Sequence, residues 1–212
     1  RDWRRLNSHP RTPLLNRAIS GQYAPGSTFK MVVGLAAIEA GVISKSTQFN
    51  CSGDMELGNA TFHCWRNGGH GMMNIISALE QSCDVFIYEV ALKTGIRKIK
   101  DMAHRLGLGD VTGIGLPGEK QGIIPSHEWK LVNQGGVWTP GETVVSSIGQ
   151  GYVLATPLQL AVMTARLANG KQAVTPRLLK SIGDAAPDFT PLDIDPYALA
   201  IIREGMFKVM NG

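Results

Sequence analysis

Ser27 and Lys30 stand three residues apart in the run Pro25-Gly26-Ser27-Thr28-Phe29-Lys30. On a helix that spacing brings both side chains out on one face. A serine hydroxyl is a poor nucleophile until a neighbour takes its proton, and a lysine amine can do so where its surroundings favour the neutral form. The N-terminus of a helix adds backbone N–H groups that can hold a developing oxyanion. Ser-x-x-Lys alone recurs by chance and also describes a capping serine followed by a surface lysine. Here the residues that follow are apolar, and a lysine among them must snorkel to water or find a partner.

A second constellation is Cys51-x12-Cys64-x5-His70-x12-Cys83, all three cysteines falling within 33 residues. Three thiolates and one imidazole make a complete tetrahedral shell for zinc. A glycine-rich loop with little apolar content needs a cross-link to be ordered, and a metal supplies one. The spacing is looser than the tight Cys-x-x-Cys patterns. A Cys51–Cys64 disulfide with Cys83 free, or three unrelated thiols, are the rival readings, although an odd cysteine count argues against a pure disulfide framework. His63, next to Cys64, is the alternative nitrogen ligand. His104 falls within a helical pattern and reads as structural.

The elements that must position these groups are mostly helical. Residues 1–26 carry three prolines and read as an extended approach segment. Ser27 to Ala40 is predicted as a helix, apolar around almost its whole circumference, with Gly41 as its stop; such a helix is buried. Gly41 to Gly71 reads as a long irregular loop. Asn74 to Thr94 is predicted as two helices meeting near Ser82, and Ile96 to Leu106 as another. Gly107 to Trp138 reads as connection. Thr156-Pro157-Leu158-Gln159 opens a helix with a cap, a proline at the first position and a glutamine to close the box. That helix runs to about Ala168 and stops at Asn169-Gly170. Residues 171–182 are read as holding a short strand and 184–195 as a loop, before Asp195-Pro196 opens the last helix.

Composition narrows the class. A chain of 212 residues makes one large domain or two small ones. With 43% hydrophobic and 18% charged residues it is globular rather than disordered. A net charge of +4, with four Trp and four Tyr, is too mild to indicate nucleic acid. The longest apolar stretch, Met31 to Ile43, is broken by Glu39 and too short to span a bilayer. The chain opens without a signal pattern and reads as a piece of a longer protein, with any membrane anchor outside it.

The stretches Pro13-Leu14-Leu15-Asn16-Arg17-Ala18 and Gly21-Gln22-Tyr23-Ala24-Pro25-Gly26-Ser27-Thr28-Phe29-Lys30 resemble the nucleophile region of penicillin-binding protein transpeptidase domains, in particular their elongation-type, class B branch. The family's second motif, Ser-x-Asn, is matched by Ser82-Cys83-Asp84, with Asp in place of Asn. That change matters chemically, because a carboxylate only accepts hydrogen bonds where an amide also donates. Gly113-Ile114-Gly115-Leu116-Pro117-Gly118-Glu119, Ser147-Ile148-Gly149-Gln150-Gly151 and Ala155-Thr156-Pro157-Leu158-Gln159-Leu160-Ala161 continue the likeness in order, so that it covers nearly the whole chain. Lys93-Thr94-Gly95 matches the third motif in letters only. It lies eleven residues after Ser82, at the end of a helical pattern, where Gly95 reads as a C-cap. The resemblance puts the true third motif beyond Gly212 and the first sheet strands before Arg1, making residues 1–212 part of one transpeptidase domain.

The resemblance implies the penicillin-binding/serine β-lactamase-like α/β sandwich of antiparallel sheet and helices, this stretch holding mostly the helical part. It implies peptidoglycan D,D-transpeptidation in cell-wall elongation. Ser27 would attack the D-Ala-D-Ala carbonyl of a stem peptide, with Lys30 as base. Ser82 would relay the proton to the leaving amine, and Asp84 would position Lys30 or the substrate backbone. The Ser27 N–H would form half of the oxyanion hole. The isolated stretch, without the third motif, is expected to be inactive or nearly so. Implied partners are stem peptides, β-lactam antibiotics and a membrane glycan polymerase, and the implied location is the periplasmic side of an inner-membrane anchor. No cofactor is needed for the chemistry, so zinc at Cys51, Cys64, His70 and Cys83 would be structural. A D,D-carboxypeptidase or β-lactamase of the same fold, and a non-catalytic penicillin-binding sensor or scaffold, are the alternatives.

Overall fold

The helix that carries Lys30 has no polar face to leave in water, and the rest of the fold is arranged around it. The structure, a computed structural model, describes residues 2–179 and 188–212. Its elements run in the order α1 (Asp2–Asn7), α2 (Arg17–Ser20), a 3-10 turn (Gly26–Phe29), α3 (Lys30–Glu39), β1 (Phe49–Cys51), β2 (Asp54–Leu57), β3 (Ala60–His63), β4 (Gly71–Met73), α4 (Ile75–Glu80), α5 (Asp84–Thr94), α6 (Ile96–Arg105), α7 (His127–Gln134), α8 (Pro140–Ser147), α9 (Pro157–Asn169) and α10 (Pro196–Asn211). Eight of the ten residues of α3 are buried, and it packs against α5, α6 and α10. Val32, Val33, Leu35 and Ala37 share one core with Phe86, Ile99, Met102 and Ile202. No helix among the described residues is long and apolar enough to cross a membrane.

Most of the helical expectations are met within a residue or two. Asn74 caps α4, its side chain accepting from the Ser77 N–H, and the chain turns at Gln81–Cys83 into α5. Thr156 caps α9 with Gln159 closing the box, and Gly170 ends the helix in the left-handed region, φ 67°. Asp195 caps α10 by accepting from the Tyr197 N–H. Ser27 to Ala40 is less uniform than expected. It starts as a 3-10 turn, and α-helical geometry begins at Lys30.

Three expectations are corrected. The first 26 residues are not wholly extended, since α1 and α2 lie there; α1 buries nothing. Residues 41–71 are not an irregular loop throughout. Two small antiparallel pairs order them, β1 with β4 (Phe49↔Met73, Cys51↔Gly71) and β2 with β3 (Asp54↔His63, Leu57↔Ala60). Nor is 107–138 bare connection, because α7 lies inside it, capped by Ser126 accepting from the Trp129 N–H and ended by Gly135 at φ 65°. Of the strand expected over 171–182, residues 180–182 lie outside the described residues, as do 184–187 of the loop after it. The described part holds a single antiparallel bridge, Gln172 with Pro191.

Candidate active site and cysteine cluster

Ser27 sits exposed on the 3-10 turn, one residue after Gly26. That turn is held from behind by the Ser147–Gly151 segment, where the Gly26 N–H donates to the Gly149 carbonyl at 3.0 Å. Gly149 itself has φ 68°, and a Cβ there would lie 2.3 Å from the Gly26 carbonyl oxygen. Only glycine allows the two backbones so close.

Lys30 opens α3 one turn into the apolar interior and is 1% exposed. A buried ammonium must be paired and hydrogen-bonded, and all three of its donors are engaged. Lys30 Nζ donates to Asp84 Oδ1 at 2.6 Å, to the Ser82 carbonyl at 2.7 Å and to Ser82 Oγ at 3.0 Å. Ser82 Oγ in turn donates to Ser27 Oγ at 2.8 Å. Among the described residues Lys30 makes no hydrogen bond to Ser27 directly, and the link runs through Ser82. The expected pairing of Ser27 with Lys30 is therefore three-membered from the start. Asp84 is the first residue of α5, where a carboxylate also suits the helix N-terminus. Its second oxygen accepts the Trp65 backbone N–H at 3.0 Å.

Ser82 occupies the turn between α4 and α5 at φ 53°, one of two non-glycine residues with positive φ among the described residues. Left-handed backbone is costly for a residue with a Cβ and concentrates at functional sites. A cleft of about 540 Å³ opens over this group, lined by Ser27, Trp65, Ser82, Asp84, Tyr88 and Gln150. On the other side of Ser27 lies a smaller apolar cavity of about 320 Å³, bounded by Met31, Leu79, Met206 and Val209.

The four predicted metal ligands also meet. One ligand atom from each of Cys51, Cys64, His70 and Cys83 falls within 4.8 Å of all the others. The three cysteines are unbridged and buried. His70 Nδ1 lies 3.6 Å from Cys51 Sγ and 3.5 Å from Cys64 Sγ. A tetrahedral zinc with ordinary Zn–S and Zn–N bonds separates such a pair by about 3.6 Å. Cys51 ends β1, Cys64 follows β3, and Cys83 caps α5, so the cluster joins both hairpins to the turn carrying Ser82. The close return of the loop needs Gly69, where φ is 70° and a Cβ would lie 2.1 Å from the Cys51 carbonyl oxygen.

The electrostatics fit a bound cation. Burial, with Arg66 nearby, holds His70 below its ordinary value, leaving a neutral ring with a lone pair to offer. Burial pushes the Cys64 thiol up, but the backbone amides of Arg66, Asp84 and Val85 outweigh it and bring it below the usual value. Burial and then the two neighbouring thiols push Cys83 well up. Held as thiolates, these three sulfurs would need a positive centre among them. His70 Nε2 is buried with no hydrogen-bond partner among the described residues.

The remaining sequence candidates fall elsewhere. His63 is exposed and lines the Ser27 cleft, its carbonyl accepting the Tyr88 hydroxyl. His104 pairs with Asp110 at 2.6 Å. Lys93 and Thr94 end α5, with Gly95 as its C-cap at φ 83° and Thr94 Oγ1 donating to the Val90 carbonyl. That tripeptide is a helix terminus, as expected. The residue that sequence reasoning missed is Trp65. Its only signal was its place beside Cys64.

A serine on a tight turn, a buried lysine and a Ser-x-Asp turn, ordered around an apolar helix, define a class. Residues 3–212 match the family model described as the penicillin binding protein transpeptidase domain. The chain belongs to that family and has its penicillin-binding/β-lactamase-like fold. Within the family it is similar to proteins named peptidoglycan D,D-transpeptidase MrdA. The protein of that name from Acinetobacter baumannii is 36% identical over 189 residues, covering 88% of this chain and 28% of that protein. The one from Escherichia coli K12 is 35% identical, covering 100% of this chain and 35% of that protein. Among solved structures, Pseudomonas aeruginosa PBP2 in complex with WCK 5153 superposes with a TM-score of 0.92 at 36% identity, covering 100% of this chain and 48% of that one. Helicobacter pylori PBP2, in its complex with MreC, gives 0.90 at 35%, covering 99% and 39%. The chain thus spans about a third of the length of these curated relatives.

Proposed function

We propose that this chain carries the acylating centre of a peptidoglycan D,D-transpeptidase. The observation that carries the reading is the continuous hydrogen-bonded series Ser27 Oγ, Ser82 Oγ, Lys30 Nζ, Asp84 Oδ1. Ser27 attacks the D-Ala-D-Ala carbonyl. Once Lys30 has given one proton to solvent and the two hydroxyls have turned to donate toward it, the Ser27 proton passes to Ser82 Oγ as Ser82 gives its own to Lys30 Nζ. Asp84 stabilises the ammonium that results. When the tetrahedral adduct collapses, the proton returns through Ser82 to the departing D-alanine amine. An amine of a second stem peptide then repeats the sequence in reverse and leaves the cross-link. β-Lactams acylate the same oxygen. The working site is on the periplasmic face of the inner membrane, and the partner is a membrane glycan polymerase. A similar solved structure describes coordination of polymerization and crosslinking in a peptidoglycan synthase complex, which supports that partner.

Zinc belongs to the same proposal as a structural ion. Cys51, Cys64, His70 and Cys83 would hold it, and it supplies charge neutralisation and a cross-link rather than a reaction step.

The test uses the full gene product. Incubation with a β-lactam is followed by mass spectrometry of the Ser27 peptide, and D-alanine release and cross-linked dimer are measured with stem-peptide donors and acceptors. A covalent adduct at Ser27, lost in Ser27→Ala, together with dimer formation, supports transpeptidation. Rapid release of the adduct to water marks a hydrolase of the same fold, and a stable adduct without any dimer marks a sensor. Unmodified Ser27 overturns the reading.

A further inference from the structure

Trp65 follows Cys64 and is 63% exposed, yet both of its N–H groups are engaged. Its indole Nε1 donates to the Ser82 carbonyl at 3.0 Å and to the Gln81 carbonyl at 3.1 Å. Its backbone N–H donates to Asp84 Oδ2. The ring stands edge-on to His70, with centroids 5.3 Å apart. One residue thus touches both partners of Lys30, while its side chain leans on the cysteine cluster.

We propose that Trp65 is a positioning residue for Ser82. Ser82 is held at φ 53°, a conformation its Cβ disfavours, and only there does Oγ stand between Lys30 and Ser27. The turn needs an external restraint. Lys30 provides one at the Ser82 carbonyl, but Lys30 changes its charge during the reaction. The indole N–H does not titrate, so it keeps both carbonyls of the turn fixed while the proton moves. The cluster and His70 orient the indole. A disturbance of the cysteine loop therefore reaches the Ser82 carbonyl through this ring as well as along the chain from Cys83.

The inference rests on the serine mechanism proposed above, and its test separates the two. Trp65 is replaced by 3-benzothienylalanine, which keeps the bicyclic shape and the contact with His70 but lacks the N–H. Trp65→Phe serves as a second variant. On the chain itself, the Ser82 ¹³Cα and ¹³Cβ chemical shifts report its backbone region. We expect them to move away from left-handed values in both variants. On the full gene product, non-covalent β-lactam binding and the acylation rate constant are measured separately. The acylation constant is expected to fall about tenfold with binding held within about twofold, the effect of one hydrogen bond acting on a strained turn. A purely structural tryptophan would lower the urea midpoint and leave the acylation constant unchanged, which refutes the proposal. Weaker binding at an unchanged rate also refutes it, because the indole would then be a wall of the cleft. If the parent protein is not acylated at all, the serine mechanism fails, and the Ser82 shifts still decide the role of Trp65.

Discussion

Removing the Asp84 carboxylate should cost more stability than any other single change at the site. In Asp84→Ala, Lys30 stays buried at 1% exposure and loses its shortest contact, the 2.6 Å bond to Oδ1. The Trp65 N–H loses its acceptor as well. Stripping one partner from a buried pair costs about 3–5 kcal/mol. The lost carboxylate at the first turn of α5 adds about 0.3–1 kcal/mol. For a chain of this size a kcal/mol moves the melting temperature by about 2–4 °C, so the fall is roughly 7–24 °C. Lys30→Met with Asp84→Leu removes both charges together. A buried pair replaced by apolar groups is often neutral in stability, so the double variant should recover most of the loss while being chemically dead. Urea unfolding followed by circular dichroism at fixed metal content reads both, with unchanged slope as the check that the same transition is compared. A single variant within about 1 kcal/mol of the parent, or a double variant no more stable than Asp84→Ala, would refute the reasoning.

Gly149→Ala places a methyl against the Gly26 carbonyl and forces left-handed backbone on alanine; we expect a loss of about 2 kcal/mol or more and slower β-lactam acylation, and parent-like values for both would show that the nucleophile turn does not depend on this contact. Native mass spectrometry should show one zinc per chain, and chelation should release it, free three thiols and lower the unfolding midpoint. A metal-free chain two hydrogens light would mean a disulfide instead. Burial acts to raise Glu142, but the Lys130 ammonium and the Thr139 N–H and hydroxyl outweigh it, leaving it below its ordinary 4.5. A depressed carboxylate contributes stability above that value and loses it as pH falls through the folded value. Glu142→Gln should therefore be less stable than the parent near neutrality and converge with it as pH falls through the lowered folded value, and a constant difference across the range would contradict this.

The helices were legible because their signals are local. Apolar periodicity marked α3, and Thr156-Pro157-Leu158-Gln159 fixed the start of α9. The same kind of signal was present for α8, whose Thr139 and Glu142 form a capping box around Pro140, and for α7 between Ser126 and Gly135. Both are helices of only eight residues, too short for their periodicity to stand out. The hairpins were illegible for a different reason. Their strands are three or four residues long, too short for alternation to show. The spacing of Cys51, Cys64, His70 and Cys83 gave a ligand set without a geometry. Likewise Ser27, Lys30, Ser82 and Asp84 could be named from sequence, yet the order in which they hydrogen-bond could not. That Ser82 stands between Ser27 and Lys30 follows from the turn at Gln81–Cys83, a tertiary fact with no local signature.

The two halves of the site are fastened to parts of the fold that open at very different free energies. Lys30 belongs to a helix with eight buried residues, packed on three others. Its amides should exchange with solvent only through global unfolding. Cys51 and Cys64 hang on two-stranded hairpins with one or two buried residues each, segments that open locally at far lower cost. The anchor of Lys30 and the anchor of the Ser82 turn are thus separate cooperative units. Mild heat or acid can loosen the second while the first remains folded. The protein then passes through a state with an intact nucleophile helix and a slack Ser82 turn, visible as exchange-labelled hairpins on a protected core. In that state the Ser82 turn is lost before the core is, and its recovery needs only the hairpins to close again.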